Sequence, residues 1–94
     1  MPTPVRDGTT LLDVTREEAW VVHSALMEQL RAASERDESA VEVDALHALE
    51  RPRGFTREEM RAIREALVEY LVDAPLRDRP PGRKALRAAD AALN

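Results

Sequence analysis

The side chains of this sequence that could do chemistry are two histidines, three serines and eighteen carboxylates, with no cysteine among them. A zinc site wants at least three protein ligands. His23 and His47 are the only imidazoles, neither lies in an H-E-x-x-H pattern, and neither has a second histidine one helical turn away. His47-Ala48-Leu49-Glu50 does put an imidazole and a carboxylate on one helix face. Two ligands make a half site at best, so an exposed helical histidine is the plainer reading. No Asp-x-Asp-x-Asp-Gly run offers a calcium loop. Ser24, Ser34 and Ser39 lack a nucleophile-elbow context, and three glycines in the whole chain do not build a phosphate-cradling loop. The carboxylates fall on outer helix faces, where they keep solution acidity and have no pocket to act in. No catalytic residue, metal site or cofactor is expected, and the chain reads as a non-enzyme.

Arginine gives a stronger pattern. Arg57, Arg61 and Arg64 recur along one flank of a helix, Arg51 and Arg53 precede them, and Arg77, Arg79, Arg83, Lys84 and Arg87 follow. Helical arginines contact phosphates, each neutralised charge adding salt-dependent affinity. Arg53, Arg57, Arg61 and Arg64 are therefore the candidate nucleic-acid contacts. The bland alternative is a solvated face laced with pairs such as Arg61–Glu65. That alternative is favoured by the lack of an interleaved aromatic for base stacking.

The third constellation is apolar. Trp20, His23 and Met27 lie together beside the core face of the first helix and widen it beyond what one buried seam needs. Trp and Met are enriched at interface centres, so these three are the candidate interface. The competing reading makes Trp20 the main core residue of a small bundle.

Capped helices must position these groups. Thr15-Arg16-Glu17-Glu18 and Thr56-Arg57-Glu58-Glu59 are both capping boxes, in which the Thr hydroxyl and the Glu carboxylate satisfy each other's backbone amides. After the first, Ala19, Val22, Leu26, Leu30 and Ala33 share one face, predicting a helix from about Arg16 to Ser34. Ser39-Ala40-Val41-Glu42 starts a shorter helix, which Arg51-Pro52-Arg53-Gly54 ends. Phe55 and Met60 stand at staple positions around the second box, and Met60, Ile63, Leu67, Tyr70, Leu71 and Ala74 form the next apolar face. Pro75 closes that helix. A Pro-rich connector over residues 75–82 then precedes a last helix from about Arg83 to Leu93. Residues 1–10 read as a tail, with Asp7-Gly8 able to seat a short β-hairpin. The expected fold is an all-α bundle of three or four helices, one domain over residues 1–94.

Two repeats of one pattern run through this layout. Residues 15–30 align without gaps to residues 56–71, with eight identities in sixteen. Duplication of a helical unit explains this, and so does convergence of capped amphipathic helices, since two copies fall short of a repeat array.

Composition adds a bias towards partners. One Trp, one Tyr and one Phe leave a core poor in large aromatic area, and small domains bury a modest share of their surface. A homodimer, or a partner protein, is expected. The net charge of −4 hides an asymmetry: residues 1–50 hold four Arg against eleven acids, whereas residues 51–94 hold ten basic residues against seven acids. A basic half leaves DNA open as a partner. With no cysteine, no signal-like N-terminus and no run of 18 apolar residues, a cytoplasmic protein that spans no membrane is expected. Lys84 is the only lysine, a bias that reads as high-GC or halophilic coding.

The stretch Leu12-Asp13-Val14-Thr15-Arg16-Glu17-Glu18-Ala19-Trp20-Val21-Val22-His23 resembles the opening of small uncharacterised helical proteins of haloarchaea, a likeness that implies no activity. A second similarity is to winged-helix regulators, with Ser39 to Leu71 as the helix-turn-helix pair. Against it, the connector from Glu50 to Phe55 exceeds the usual turn and no β-wing follows Leu71. The reading is therefore a helical protein–protein interaction or assembly module. The alternative is a helix-turn-helix DNA-binding regulator, and an antitoxin-like subunit of a larger protein is a third possibility.

Overall fold

The structure is a computed structural model that describes residues 9–35, 40–50 and 54–94. Within them the chain is all-α. Helices α1 (Arg16–Glu35), α2 (Ala40–Glu50), α3 (Arg57–Val72) and α4 (Arg79–Leu93) follow in order, with a single 3-10 turn at Leu76–Asp78 before α4. The proposed Asp7-Gly8 hairpin, the Ser39 cap and the Arg51–Arg53 stop signal lie outside the described residues.

Both capping boxes form. The Thr15 amide donates to Glu18 Oε1 at 3.1 Å and the Glu18 amide to Thr15 Oγ1 at 3.2 Å. Their counterparts at Thr56 and Glu59 measure 2.9 and 3.1 Å. Each box satisfies two of the amides that a helix start leaves orphaned, and so sets the rotation of the face that follows. Phe55 and Met60, on either side of the second box, are both buried.

The cap-to-core phase places Val22 and Leu26 of α1 against Met60, Ile63 and Leu67 of α3, the five largest fully buried side chains. α3 packs against the other three helices, and α4 also contacts α1. Between Thr10 and Phe55, paired backbone hydrogen bonds of 2.9 and 2.8 Å make an isolated antiparallel bridge. It fastens the segment before α1 to the segment before α3.

One expectation is corrected here. The stretch 75–82 is not a connector throughout, because α4 starts at Arg79 and takes Pro80 and Pro81 into its first turn. The first helical amides have no intrahelical acceptor, so proline there forfeits nothing and its fixed φ suits the helix. Gly82 is also helical, and its reason is packing. A Cβ at this position would stand 2.6 Å from Leu71 Cδ2 and 3.3 Å from Val21 Cγ1. The bare glycine lets α4 approach α1 and α3 closely. The remaining link is short and tied at both ends: the Tyr70 hydroxyl donates to Asp78 Oδ2 at 2.6 Å, and Arg79 Nε donates to the Ala74 carbonyl at 3.2 Å.

Candidate interaction surfaces

With Val21, Val22, Ala25 and Leu26 buried, the rotation of α1 carries Trp20 and Met27 to the outside. Trp20 is 61% exposed and Met27 42%; His23 is half-buried between them. The reading of Trp20 as the main core residue is overturned: aliphatic side chains, Phe55 and Met60 fill the core, and most of the indole stands in solvent. Trp20 and His23 meet edge to face, ring centroids 5.6 Å apart at 70°, the arrangement that ring quadrupoles favour. Beside them a shallow groove opens between α1 and α2, lined by Arg16, Ala19, Trp20, His23 and Leu49. Of the three residues singled out in the sequence, Trp20 and His23 share this groove with Leu49 of α2, and Met27 is exposed one turn beyond His23, outside its lining.

The arginine row of α3 forms a second surface. Arg57, Arg61 and Arg64 are all exposed and line one groove with Glu65, Asp90, Leu93 and Asn94. Arg64 is engaged, its Nε 2.5 Å from Asp90 Oδ1. Arg57 and Arg61 show no ion pair among the described residues. The last turn of α4 shares this groove, and cations beside a helix C-terminus are favoured by its dipole. Arg53 lies outside the described residues.

Sequence reasoning missed a third surface. Val68 (44% exposed), Val72 (71%) and Leu76 (76%) project at the C-terminal end of α3 and in the 3-10 turn. The signal was present, because Val68 and Val72 fall one turn apart and off the Met60-Ile63-Leu67 face.

Among the described residues no group of three or more His, Cys, Asp or Glu is placed to hold a metal ion, and no helix is long and apolar enough to cross a membrane. His47 is exposed on α2. Among the described residues, Tyr70 has a clearly shifted acidity. Its pKa is pushed up to about 12 by the hydrogen bond to Asp78, then by burial and the charges of Asp78 and Glu28, against a smaller opposing effect of Ser24. The phenol stays protonated and serves as a tether.

Comparison with known proteins places the chain in a family. The family described as "Family of unknown function (DUF7853)" matches over residues 12–90. No curated protein and no solved structure matches the chain.

Proposed function

We propose that this chain, which belongs to the DUF7853 family of unknown function, is a helical assembly module that associates with a second copy of itself through the outer face of α1. The observation that carries the reading is the 61% exposure of Trp20. In a chain with one Trp, one Tyr and one Phe, the largest apolar side chain is left out of the core while Phe55 is buried. Trp at the centre of an interface contributes heavily to affinity, and Met27 extends the surface with an adaptable thioether. No catalytic step enters this reading.

The test is light scattering behind size exclusion over a range of concentrations. The expected result is a mass above that of the 10.5-kDa chain which falls on dilution, and a folded Trp20→Ala variant that stays monomeric. A wild-type monomer at every concentration would overturn the proposal.

A second reading, a DNA-binding regulator, is favoured by one observation: Arg57, Arg61 and Arg64 share a single groove. Asp90 and Glu65 in the same groove reduce its positive field. The reading requires a duplex-DNA shift at low salt that weakens steeply as salt rises. The same proposal places the protein in the cytoplasm of a halophilic organism, supported by the absence of cysteine, the single lysine and the haloarchaeal likeness of Leu12–His23.

A further inference from the structure

The 41-residue echo carries into three dimensions. Val22, Ala25 and Leu26 of α1 are buried, and so are Ile63, Ala66 and Leu67, their counterparts in α3. The second helices repeat as well, at an interval one residue shorter. Asp44-Ala45-Leu46-His47-Ala48 falls on Lys84-Ala85-Leu86-Arg87-Ala88, sharing Ala-Leu and the last Ala. Ala45 and Ala85 are both buried, and His47 and Arg87 are both exposed. Packing follows the same rule: α1 meets α3, α2 meets α3, and α4 meets α1. Exchanging the hairpin α1–α2 with the hairpin α3–α4 maps these contacts onto one another. In a two-fold pair each contact implies its reciprocal, so the contact of α2 with α3 requires that of α4 with α1. Convergence of separate capped helices explains the two boxes but not this agreement.

The two outer grooves obey the same relation. Arg16, Trp20 and His23 line the first, and their counterparts Arg57, Arg61 and Arg64 line the second. Each groove is completed by the second helix of its own hairpin, by Leu49 in α2 and by Asp90 and Leu93 in α4. Further along the same line Met27 corresponds to Val68, and both are exposed. The first position keeps its arginine in both copies. The next two exchange an aromatic pair for two cations.

We infer that the chain is one helical hairpin present twice about an internal two-fold, that the outer faces of α1 and α3 are therefore one site in two copies, and that Arg61 and Arg64 close the second copy to self-association. The inference rests on the α1-mediated association proposed above and gives the reason it stops at a pair. One open face closes a two-fold pair, whereas two open faces on one chain link copies into an open array. On α1 the cations Arg16 and Arg31 stand at the ends of the line and leave its centre to Trp20, His23 and Met27. On α3 the centre itself is cationic. Arg61 has no ion pair among the described residues, and Asp90 engages Arg64 alone. Three arginines against Glu65 and Asp90 leave that groove net positive. Two such faces brought together set like charges across an interface, which opposes binding.

The test transplants the aromatic pair. Arg61→Trp together with Arg64→His is made in wild type and in Trp20→Ala, all at exposed positions, with helicity and urea midpoint confirming the fold. In the Trp20→Ala background the double change is expected to restore self-association, tightening it at least about tenfold over Trp20→Ala alone. In wild type it is expected to give species larger than a pair that grow with concentration. Arg61→Trp by itself, which leaves the Arg64–Asp90 contact in place, repeats the test should the double change disturb folding. Arg87→Trp, exposed on α4 and outside both grooves, controls for an indole that is merely adhesive and is expected to leave the mass unchanged. A folded transplant that stays monomeric in Trp20→Ala overturns the inference and leaves the α1-mediated pair standing. So does an Arg87→Trp protein that associates as strongly as the transplant. A wild-type monomer, or a Trp20→Ala protein that still pairs, overturns both proposals.

Discussion

The Tyr70 hydroxyl donates to Asp78 Oδ2 at 2.6 Å across the link between α3 and α4. This bond holds the 3-10 turn against the end of α3, and together with burial and the charges of Asp78 and Glu28 it raises the phenol pKa from 10.0 to about 12. A group whose pKa is raised on folding contributes stability below its unfolded value and loses it as pH climbs through the folded value. Stability should therefore fall between about pH 10 and 12 by an amount that Tyr70→Phe removes. At pH 7 the same substitution should cost about 1–2 kcal/mol, because the acceptor is charged. Urea unfolding of both proteins at pH 7, 10 and 11.5 checks this, and a pH dependence unchanged in Tyr70→Phe contradicts it.

Trp20 should matter little to the folding of one chain. Most of its surface is already in water, so Trp20→Ala is expected to cost less than about 1 kcal/mol in dilute protein. Leu26→Ala, at a fully buried position, is expected to cost about 2–5 kcal/mol from lost burial and a residual cavity. Equal losses in denaturant melts would place the indole in the core.

The two capping boxes should differ in strength although their residues are identical. At α1 the box is exposed. At α3 Glu59 is 5% exposed, so its hydrogen bonds compete less with water. Thr15→Ala should cost about 0.5–1 kcal/mol and Thr56→Ala about 1–2 kcal/mol. Thermal unfolding followed by circular dichroism gives the order, and a larger loss at Thr15 would reverse the argument.

Gly82→Ala sets two effects against each other. Alanine gains about 1 kcal/mol of helix propensity, but its Cβ meets Leu71 Cδ2 at 2.6 Å and Val21 Cγ1 at 3.3 Å. Overpacking of this kind costs about 1–3 kcal/mol, and Leu71, half-buried, yields in part by changing rotamer. A net loss of up to about 1 kcal/mol is expected, and a larger one for Gly82→Val. A raised melting temperature for either variant would show that α4 does not need the close approach.

The helices were legible because their signals are local. A Thr and a Glu three residues apart decide whether a box forms, and the Val22-Leu26 and Ile63-Leu67 spacings decide which face turns in. The echo at 41 residues extends further than the sixteen aligned positions: displaced by the same interval, Ala40–Glu50 falls on residues 81–91, inside α4. Val22, Ala25 and Leu26 are buried, and so are their counterparts Ile63, Ala66 and Leu67. What escaped reading was decided by distant neighbours. Pro80-Pro81-Gly82 looks like a break until Leu71 and Val21 are known to lie against Gly82. The burial of Trp20 turned on whether another element covered it, and that information is not local to α1. The exposure of Val68 and Val72 is set in the same way, by the absence of a neighbouring element over that side of α3.

The bridge between Thr10 and Phe55 gives the molecule a reporter of its own integrity. Each of these residues supplies an amide hydrogen to the other's carbonyl, and α1 and α2 lie in the chain between them. The helical amides on either side bond within their own segments and can stay protected through local openings. These two amides exchange with solvent once their segments part, so their deuterium uptake reads the cohesion of the two halves of the chain.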